Sequence, residues 1–292
     1  MHRYQLHNNI VRYSLLAAAL TSIIIVILIF LFLLREAFPF VWKPGLGELA
    51  GTRWNPGSQT NVSFGILPLI TGSMLVTFIA TIVSVPFGVC AAVYISEIAA
   101  PPEREILKPF IELLAAIPSV VLGFFGLVVT GPLLKYIFDL KSSLNALNGG
   151  LLLALMAIPT IISISEDAIR SVPMSYKEAS MALGANRIET IWKVTVPAAL
   201  SGIIAAVMLG MGRVVGETMT VLMVTGNAAI ITLSPFESVR TMTATIASEM
   251  GEVTFGSEHY QALFWVGIVL MLSTFCLNLI ALRVLKKYQR SG

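Results

Sequence analysis

Ser171-Val172-Pro173-Met174-Ser175-Tyr176-Lys177-Glu178-Ala179-Ser180-Met181-Ala182-Leu183-Gly184-Ala185-Asn186-Arg187-Ile188-Glu189-Thr190-Ile191-Trp192-Lys193-Val194-Thr195-Val196-Pro197 separates two long apolar stretches of the chain. Ser175 to Glu178 has the S-x-x-E form of a capping box, in which the hydroxyl accepts from the third helical amide and the carboxylate reaches back to the cap. Gly184 offers a left-handed stop two turns later. Asn186 to Glu189 repeats the capping pattern and opens a second helix. Pro197 cannot donate a helical hydrogen bond, so it marks a bend into the next apolar stretch. The segment 171–197 therefore predicts two short helices held at a fixed angle beside a membrane.

The rest of the chain supplies that membrane. Of 292 residues, 56% are hydrophobic and 12% are charged, whereas a soluble domain carries about 25% charged residues. Crossing a hydrocarbon core takes about 20 helical residues, and six stretches qualify: 13–34, 66–97, 110–136, 149–169, 198–225 and 260–282. The first is longer than a secretory apolar core and has no clear cleavage motif, so it reads as a retained anchor. With the N-terminus inside, 12 of the 19 Lys and Arg residues are cytoplasmic, 6 lie outside and Arg213 lies within a span. This asymmetry predicts N-in, C-in topology. The expected organisation is a cytoplasmic N-terminus at 1–12, the anchor at 13–34, an outer loop at 35–65, a transmembrane domain at 66–286 and a cytoplasmic tail at 287–292. The outer loop, with Trp42-Lys43-Pro44 and Trp54-Asn55-Pro56, reads as irregular, its tryptophans at headgroup level. The segment 226–259 is too polar to span and leaves room for a short surface or re-entrant helix near 239–250. Glu112, Glu166 and Asp167 read as interfacial charges.

No metal-ligand spacing occurs among Cys90, Cys276, His2, His7 and His259. No GxxxxGK[ST] phosphate loop is present, so ATP binding through such a loop is excluded. Nucleic-acid binding has no basic, aromatic-interleaved surface to support it, and no cofactor is expected.

Span five contains Gly210-Met211-Gly212-Arg213-Val214-Val215-Gly216-Glu217-Thr218. A charge at mid-membrane costs about 2.5–3.5 kcal/mol on insertion scales, which makes such residues functional candidates. On a continuous helix Arg213 and Glu217 share a face and can pair, while Gly212 and Gly216 allow another helix close. The pair either locks two helices or offers a guanidinium to an oxyanion, restrained by Glu217.

Glu178-Ala179-Ser180, three residues, Gly184, nine residues, then Val194-Thr195-Val196-Pro197 resembles the EAA motif of ABC importer permeases, E-A-A-x3-G-x9-I-x-L-P. Three further stretches resemble the phosphate ABC importer permeases: Phe64-Gly65-Ile66-Leu67-Pro68-Leu69-Ile70, Ala116-Ile117-Pro118-Ser119-Val120-Val121-Leu122-Gly123 and Gly212 to Thr218. Thr241-Met242-Thr243-Ala244-Thr245-Ile246-Ala247 and His259-Tyr260-Gln261-Ala262-Leu263-Phe264 are similar to the PstC members of that family rather than their PstA partners. The resemblance runs from about residue 64 to the C-terminus. It implies an all-α, six-span type I importer permease of MetI-like architecture in a bacterial inner membrane, moving phosphate by alternating access and hydrolysing nothing itself. It further implies a PstA-like second permease, two PstB-like ATPase subunits and a PstS-like periplasmic phosphate-binding protein. Arg213 and Glu217 would lie on the substrate pathway. Glu178, Ala179, Ser180, Gly184 and Pro197 would belong to a coupling helix docked on the ATPase, Glu178 being either a docking group or only the capping carboxylate. Another oxyanion such as molybdate, tungstate or sulfate is an alternative cargo. A secondary transporter with Arg213 and Glu217 as a proton relay would leave the capped loop unexplained.

Overall fold

The computed structural model describes residues 2–58 and 60–289; residues 1, 59 and 290–292, including the end of the expected tail, lie outside it. Among the described residues, six helices are long and apolar enough to cross a membrane: Val11–Val41, Leu67–Ile98, Ser119–Ile137, Ala146–Arg170, Arg187–Gly216 and Glu258–Ile280. The first belongs to α1 (His2–Ala37), which stands outside the bundle and meets α12 (Glu258–Gln289) along one side. The bundle centre is α2 (Leu67–Val93) packed along α6 (Ala146–Arg170), with α9 (Val196–Gly216) against α6. Val76 and Ala80 of α2, Leu153, Ala157 and Ile161 of α6, and Val214 of α9 form the central core.

Two spans differ from the expected ones. The span expected at 110–136 starts within α3 (Pro101–Ala116), a helix with no buried residue and five charges, Glu103, Arg104, Glu105, Lys108 and Glu112. Pro118 disfavours the helical conformation at Ile117, which is extended at φ −64 and ψ 124, so α3 ends there. The membrane segment then runs through α4 (Ser119–Phe125), one widened turn and α5 (Gly131–Ile137). The span expected at 198–225 starts earlier and stops earlier. From α8 (Arg187–Thr190) the chain passes through a widened turn, Ile191–Thr195, directly into α9. That turn lies where the missing Pro197 donor would interrupt the regular ladder, so helical structure continues across the proline. Helix α9 ends at Gly216, Glu217 is extended at φ −70 and ψ 134, and α10 (Met219–Val224) follows.

The outer loop is more ordered than its turn residues imply. A two-stranded antiparallel hairpin, β1 (Trp54–Asn55) and β2 (Ser63–Phe64), pairs Trp54 with Phe64. Phe40, Leu49, Trp54 and Phe64 pack with Leu69, Met242, Leu263 and Val266 into an outer core. Trp54 is 5% exposed and Trp42 80%, so only Trp42 keeps the exposed position expected of both. The indole of Trp54 tolerates burial because its N–H donates to Glu249 at 3.1 Å. Helix α11 (Met242–Glu249), within the expected 239–250, buries Met242 to Thr245 and so enters the bundle. Glu166, near the inner end of α6, is buried within the protein: it is 2% exposed and pairs with Lys108 of α3 at 3.4 Å and with Arg170 at 3.1 Å.

Glu249 ties the outer end together through Arg240 at 2.6 Å and His259 Nε2 at 2.7 Å. Burial pushes its carboxyl up, but the His259 hydrogen bond, the Arg240 charge and the Trp54 hydrogen bond together hold it below the ordinary carboxylate value. A carboxylate with a depressed folded pKa contributes stability that is fully present above its unfolded pKa and is lost as pH falls through the folded one. The unfolding temperature of detergent-solubilised protein is therefore expected to begin dropping near about pH 4.3 and to continue dropping below it. Glu249→Gln is expected to lower that temperature at neutral pH and flatten the acid limb; an unchanged acid limb in the variant would exclude Glu249 as its source.

Close backbone approach gives a second expectation. A Cβ on Gly72 would stand 2.3 Å from the Arg240 carbonyl oxygen, where main chain meets main chain. Gly72→Ala is expected to destabilise the protein by about 1–3 kcal/mol, as overpacking does, read as a lower unfolding temperature in detergent.

Candidate functional site

Hydrocarbon leaves no partner for a free carbonyl or amide, so a helix break at membrane depth persists only when buried in protein or lining a cavity. The two breaks meet. Arg213, in the last turn of α9, points its Nη2 at the Ala115 carbonyl, a long contact of 3.5 Å. The Thr220 hydroxyl of α10 lies 3.0 Å from the Ser119 carbonyl. Ile117-Pro118 and Glu217-Thr218, far apart in sequence, thus stabilise each other's interruptions.

The expected pairing of Arg213 with Glu217 does not form, because the helix that would align them ends at Gly216. Glu217 turns to α10 instead: its Oε1 accepts from the Met219 amide at 3.1 Å and the Thr220 amide at 3.2 Å. A carboxylate is favourable at that end of a helix dipole. Among the described residues no carboxylate lies within 4.0 Å of Arg213. Arg213 is exposed and Glu217 half-buried. Gly212 and Gly216 also look onto open space, with no described atom within 4 Å of a Cβ built on either, so the close helix expected there is not one of this chain's own.

Beside Glu217 runs a narrow cleft lined by Ser73, Val76, Thr77, Leu153, Val214, Val215, Val221, Thr241 and Thr243. The Thr243 hydroxyl donates to the Glu217 carbonyl at 2.9 Å, and Ser73 Oγ accepts from the Met242 amide at 2.9 Å. The first turn of α11 is thereby held against both the α9–α10 break and α2. The sequence marks 241–247 only by resemblance, and Ser73 and Thr77 are two among several hydroxyls of their span, Thr71, Thr81 and Ser84 being others, so nothing local singles them out.

On the inner side, α7 (Met174–Ala182) starts two residues earlier than the capping pattern implies, with Pro173 as its N-cap and no side-chain cap. Proline there sets φ near the helical value before the first turn, so the Ser175–Glu178 box does not form. Glu178 and Ala179 are exposed and Ser180 is half-buried, its hydroxyl 3.0 Å from that of Thr190. Gly184 has φ +89 and ends α7 as expected. Its amide donates to the Met181 carbonyl at 2.9 Å, and the Ala185 amide to that of Ser180 at 3.2 Å, the Schellman arrangement. The Asn186–Glu189 box does form, with bonds of 2.9 and 3.0 Å. Pro197 is exposed in the first turn of α9. The loop displays Tyr176, Leu183, Ile188 and Trp192, of which Leu183 is 90% exposed.

A residue the sequence reading missed anchors this loop. Glu97, the single charge between Leu67 and Ile98, pairs with Lys177 of α7 at 2.5 Å. Its main-chain carbonyl also accepts from the Arg187 guanidinium. A lone carboxylate at the inner end of an apolar span was the available signal.

Known proteins place this arrangement. The chain is 41% identical over 227 residues to the probable ABC transporter permease protein YqgH of Bacillus subtilis (strain 168), covering 78% of this chain and 73% of that one. It is 34% identical over 256 residues to the phosphate transport system permease protein PstC of Mesorhizobium japonicum, covering 81% and 77%. In structure it is similar to a chain of a bacterial ABC transporter involved in the import of the acidic polysaccharide alginate (TM-score 0.66, 16% identity, 97% and 99% covered). It is also similar to a chain of the MetNI methionine ABC transporter in inward facing conformations (TM-score 0.57, 19% identity, 77% and 94% covered). These two likenesses concern the fold, which is that of type I ABC importer permeases. Residues 84–290 match the family of binding-protein-dependent transport system inner membrane components, and this chain belongs to that family as a multi-pass membrane permease, a transport component rather than an enzyme.

Proposed function

We propose that this chain is the permease subunit of an ATP-driven importer of inorganic phosphate, and that Arg213 lies on the path of the anion. The observation that carries this reading is the guanidinium at the meeting of two helix breaks, with no carboxylate partner among the described residues and its α9 face open. A guanidinium left so in a membrane is costly, and a tetrahedral oxyanion is the ligand its planar donor array suits. The name of the Mesorhizobium relative favours phosphate among oxyanions. The hydroxyls of Ser73 and Thr77 supply neutral donors along the cleft, while that of Thr243 is committed to the Glu217 carbonyl. Glu217, fixed by α10 rather than by Arg213, sets a negative charge beside the route and limits how tightly an anion is held there. A carrier needs that limit in order to release its cargo.

The open face of Gly212, Arg213 and Gly216 suits a second permease chain of PstA-like kind, so that the path runs between two chains. The unit at 66–286 is then the translocating domain, with 13–34 as an anchor. Glu178, Ala179, Ser180, Gly184 and Pro197 belong to the coupling loop. With the capping role of Glu178 gone, its exposed carboxylate and the apolar Leu183 and Ile188 form a face for a PstB-like ATPase subunit, and a PstS-like binding protein delivers phosphate from outside. A proton relay through Arg213 and Glu217 loses its geometric basis, since the two are not paired.

The test is phosphate uptake by the reconstituted importer with arsenate, sulfate and molybdate as competitors. Arg213→Gln is expected to cut uptake by about ten- to a hundredfold, the scale of a lost charge-assisted hydrogen bond of ~1.5–3 kcal/mol. Undiminished uptake would remove Arg213 from the path, and competition by sulfate or molybdate equal to that by arsenate would make the cargo oxyanions in general. Glu217→Gln, which keeps an oxygen for the α10 amides, is expected to fold normally and to hold phosphate more tightly, with slower turnover. Ala179→Arg is expected to abolish co-purification of the ATPase subunits while leaving the permease folded; retained association would overturn the docking face.

A further inference from the structure

We propose that Glu97 is the joint through which movement of the coupling loop reaches the cleft, and that α2 is the rod it drives. This rests on the reading of 171–197 as the ATPase-coupling loop. Three cations from three different inner-face elements converge on the end of α2. Lys177 of α7 takes the Glu97 carboxylate at 2.5 Å. Arg187 of α8 takes the Glu97 carbonyl, and Arg104 of α3 takes the carbonyl of Ser96. The last carbonyls of a helix have no partner inside it, and cations are favoured there by the helix dipole.

An exposed ion pair at a protein surface contributes little, but the Lys177 and Glu97 side chains are only 16% and 11% exposed. Helix α7 has no buried residue of its own. Its side-chain ties are few: Lys177 to Glu97, and Ser180 to Thr190 in the adjoining α8. A force applied to the exposed face of α7 therefore reaches the end of α2 through Glu97, beside the packing of α7 on Ile191–Thr195 that leads to α9.

What lies at the other end gives the tie its purpose. Ser73, Val76 and Thr77 of the same span form one wall of the cleft beside Glu217. Thr77 and Glu97 are separated by about 30 Å along a helix at 1.5 Å per residue. Between them α2 runs on as one helix through Pro86 and lies along α6 in an extensive contact. The Tyr94–Ile98 segment that carries Glu97 is a single widened turn, closed by the Ala99 amide on the Tyr94 carbonyl at 2.8 Å. Such turns interrupt the regular ladder and often occur at functional sites. Glu97 touches no cargo on this account; it is a positioning residue, and without it the ATPase moves the loop but not the wall.

The experiment measures uptake per ATP hydrolysed by the complete reconstituted importer carrying Glu97→Gln, Lys177→Met or both. Each single variant is expected to keep its ATPase subunits and near-normal hydrolysis while uptake per ATP falls about fivefold, with the double variant no worse, as coupled partners behave in a double-mutant cycle. Glu97→Asp is expected to recover part of the ratio. A normal ratio in both single variants, or losses that multiply in the double variant, would overturn the joint. So would loss of uptake in step with loss of subunit association, because Glu97 would then only hold the loop's shape. Failure of the docking reading shows elsewhere, as subunits retained by Ala179→Arg, and so is told apart from failure of the joint.

Discussion

A carbonyl or amide facing hydrocarbon has nothing to bond to, and this constraint governs where the chain is allowed to be irregular. The chain breaks its helices at Ile117-Pro118, where the third span begins, and at Glu217-Thr218, where α9 ends. Placed together, Arg213 and Thr220 approach the carbonyls of Ala115 and Ser119, while Glu217 accepts the first amides of α10. The polarity beside the cleft follows from this mutual satisfaction, since Glu217 and Thr243, which line it, are among the groups that bond across the second break.

The same requirement acts at the inner face through helix ends. The carbonyls left over at the end of α2 are taken by guanidinium groups of α3 and α8, and the buried Glu166 gathers Lys108 and Arg170 from α3 and α6. Beside the apolar cluster in which Leu107 and Ile111 of α3 pack with Ile162 and Ile169 of α6, the cytoplasmic elements are therefore fastened to the spans by ion pairs and capping bonds. Fastenings of that kind can move as rigid levers, because a few strong directional contacts transmit force where a broad apolar seam slides.

Much of the fold was legible because its signals are local. Apolar length marked all six spans, Gly184 marked its left-handed stop, and Asn186 with Glu189 marked a capping box that forms. The failures share one cause. Periodicity treats an apolar stretch as one helix, so it carried span three back across Ile117-Pro118 and span five forward across Glu217. Arg213 and Glu217 consequently looked like an i, i+4 pair, a spacing that holds only on an unbroken helix. Pro118 was a readable break signal, whereas no proline or glycine follows Glu217 to announce the second one. Its cause is tertiary: the hydroxyls of Thr220 and Thr243 and the first break are supplied from elsewhere in the chain. Ser175 failed as a cap for a smaller reason, since Pro173 offers the helix an earlier start. Glu97 stood in the sequence as a lone acid near a span end, but its partner Lys177 is 80 residues away; Glu166, beside Asp167, had a readable partner in Arg170 at i+4, whereas Lys108 comes from another helix.

The exposed state of Arg213 bears on what the chain is when alone. A guanidinium with only a long contact to one carbonyl is poorly compensated in hydrocarbon, and the two glycines flanking it leave a smooth strip wide enough for a close neighbour. A second permease chain covering that strip would exclude lipid and enclose the cleft's open side, turning a costly charge into a desolvated anion site. The cost is thus a reason for assembly: the chain alone leaves uncovered the one charge of α9, and Glu217, committed to the first amides of α10, does not neutralise it.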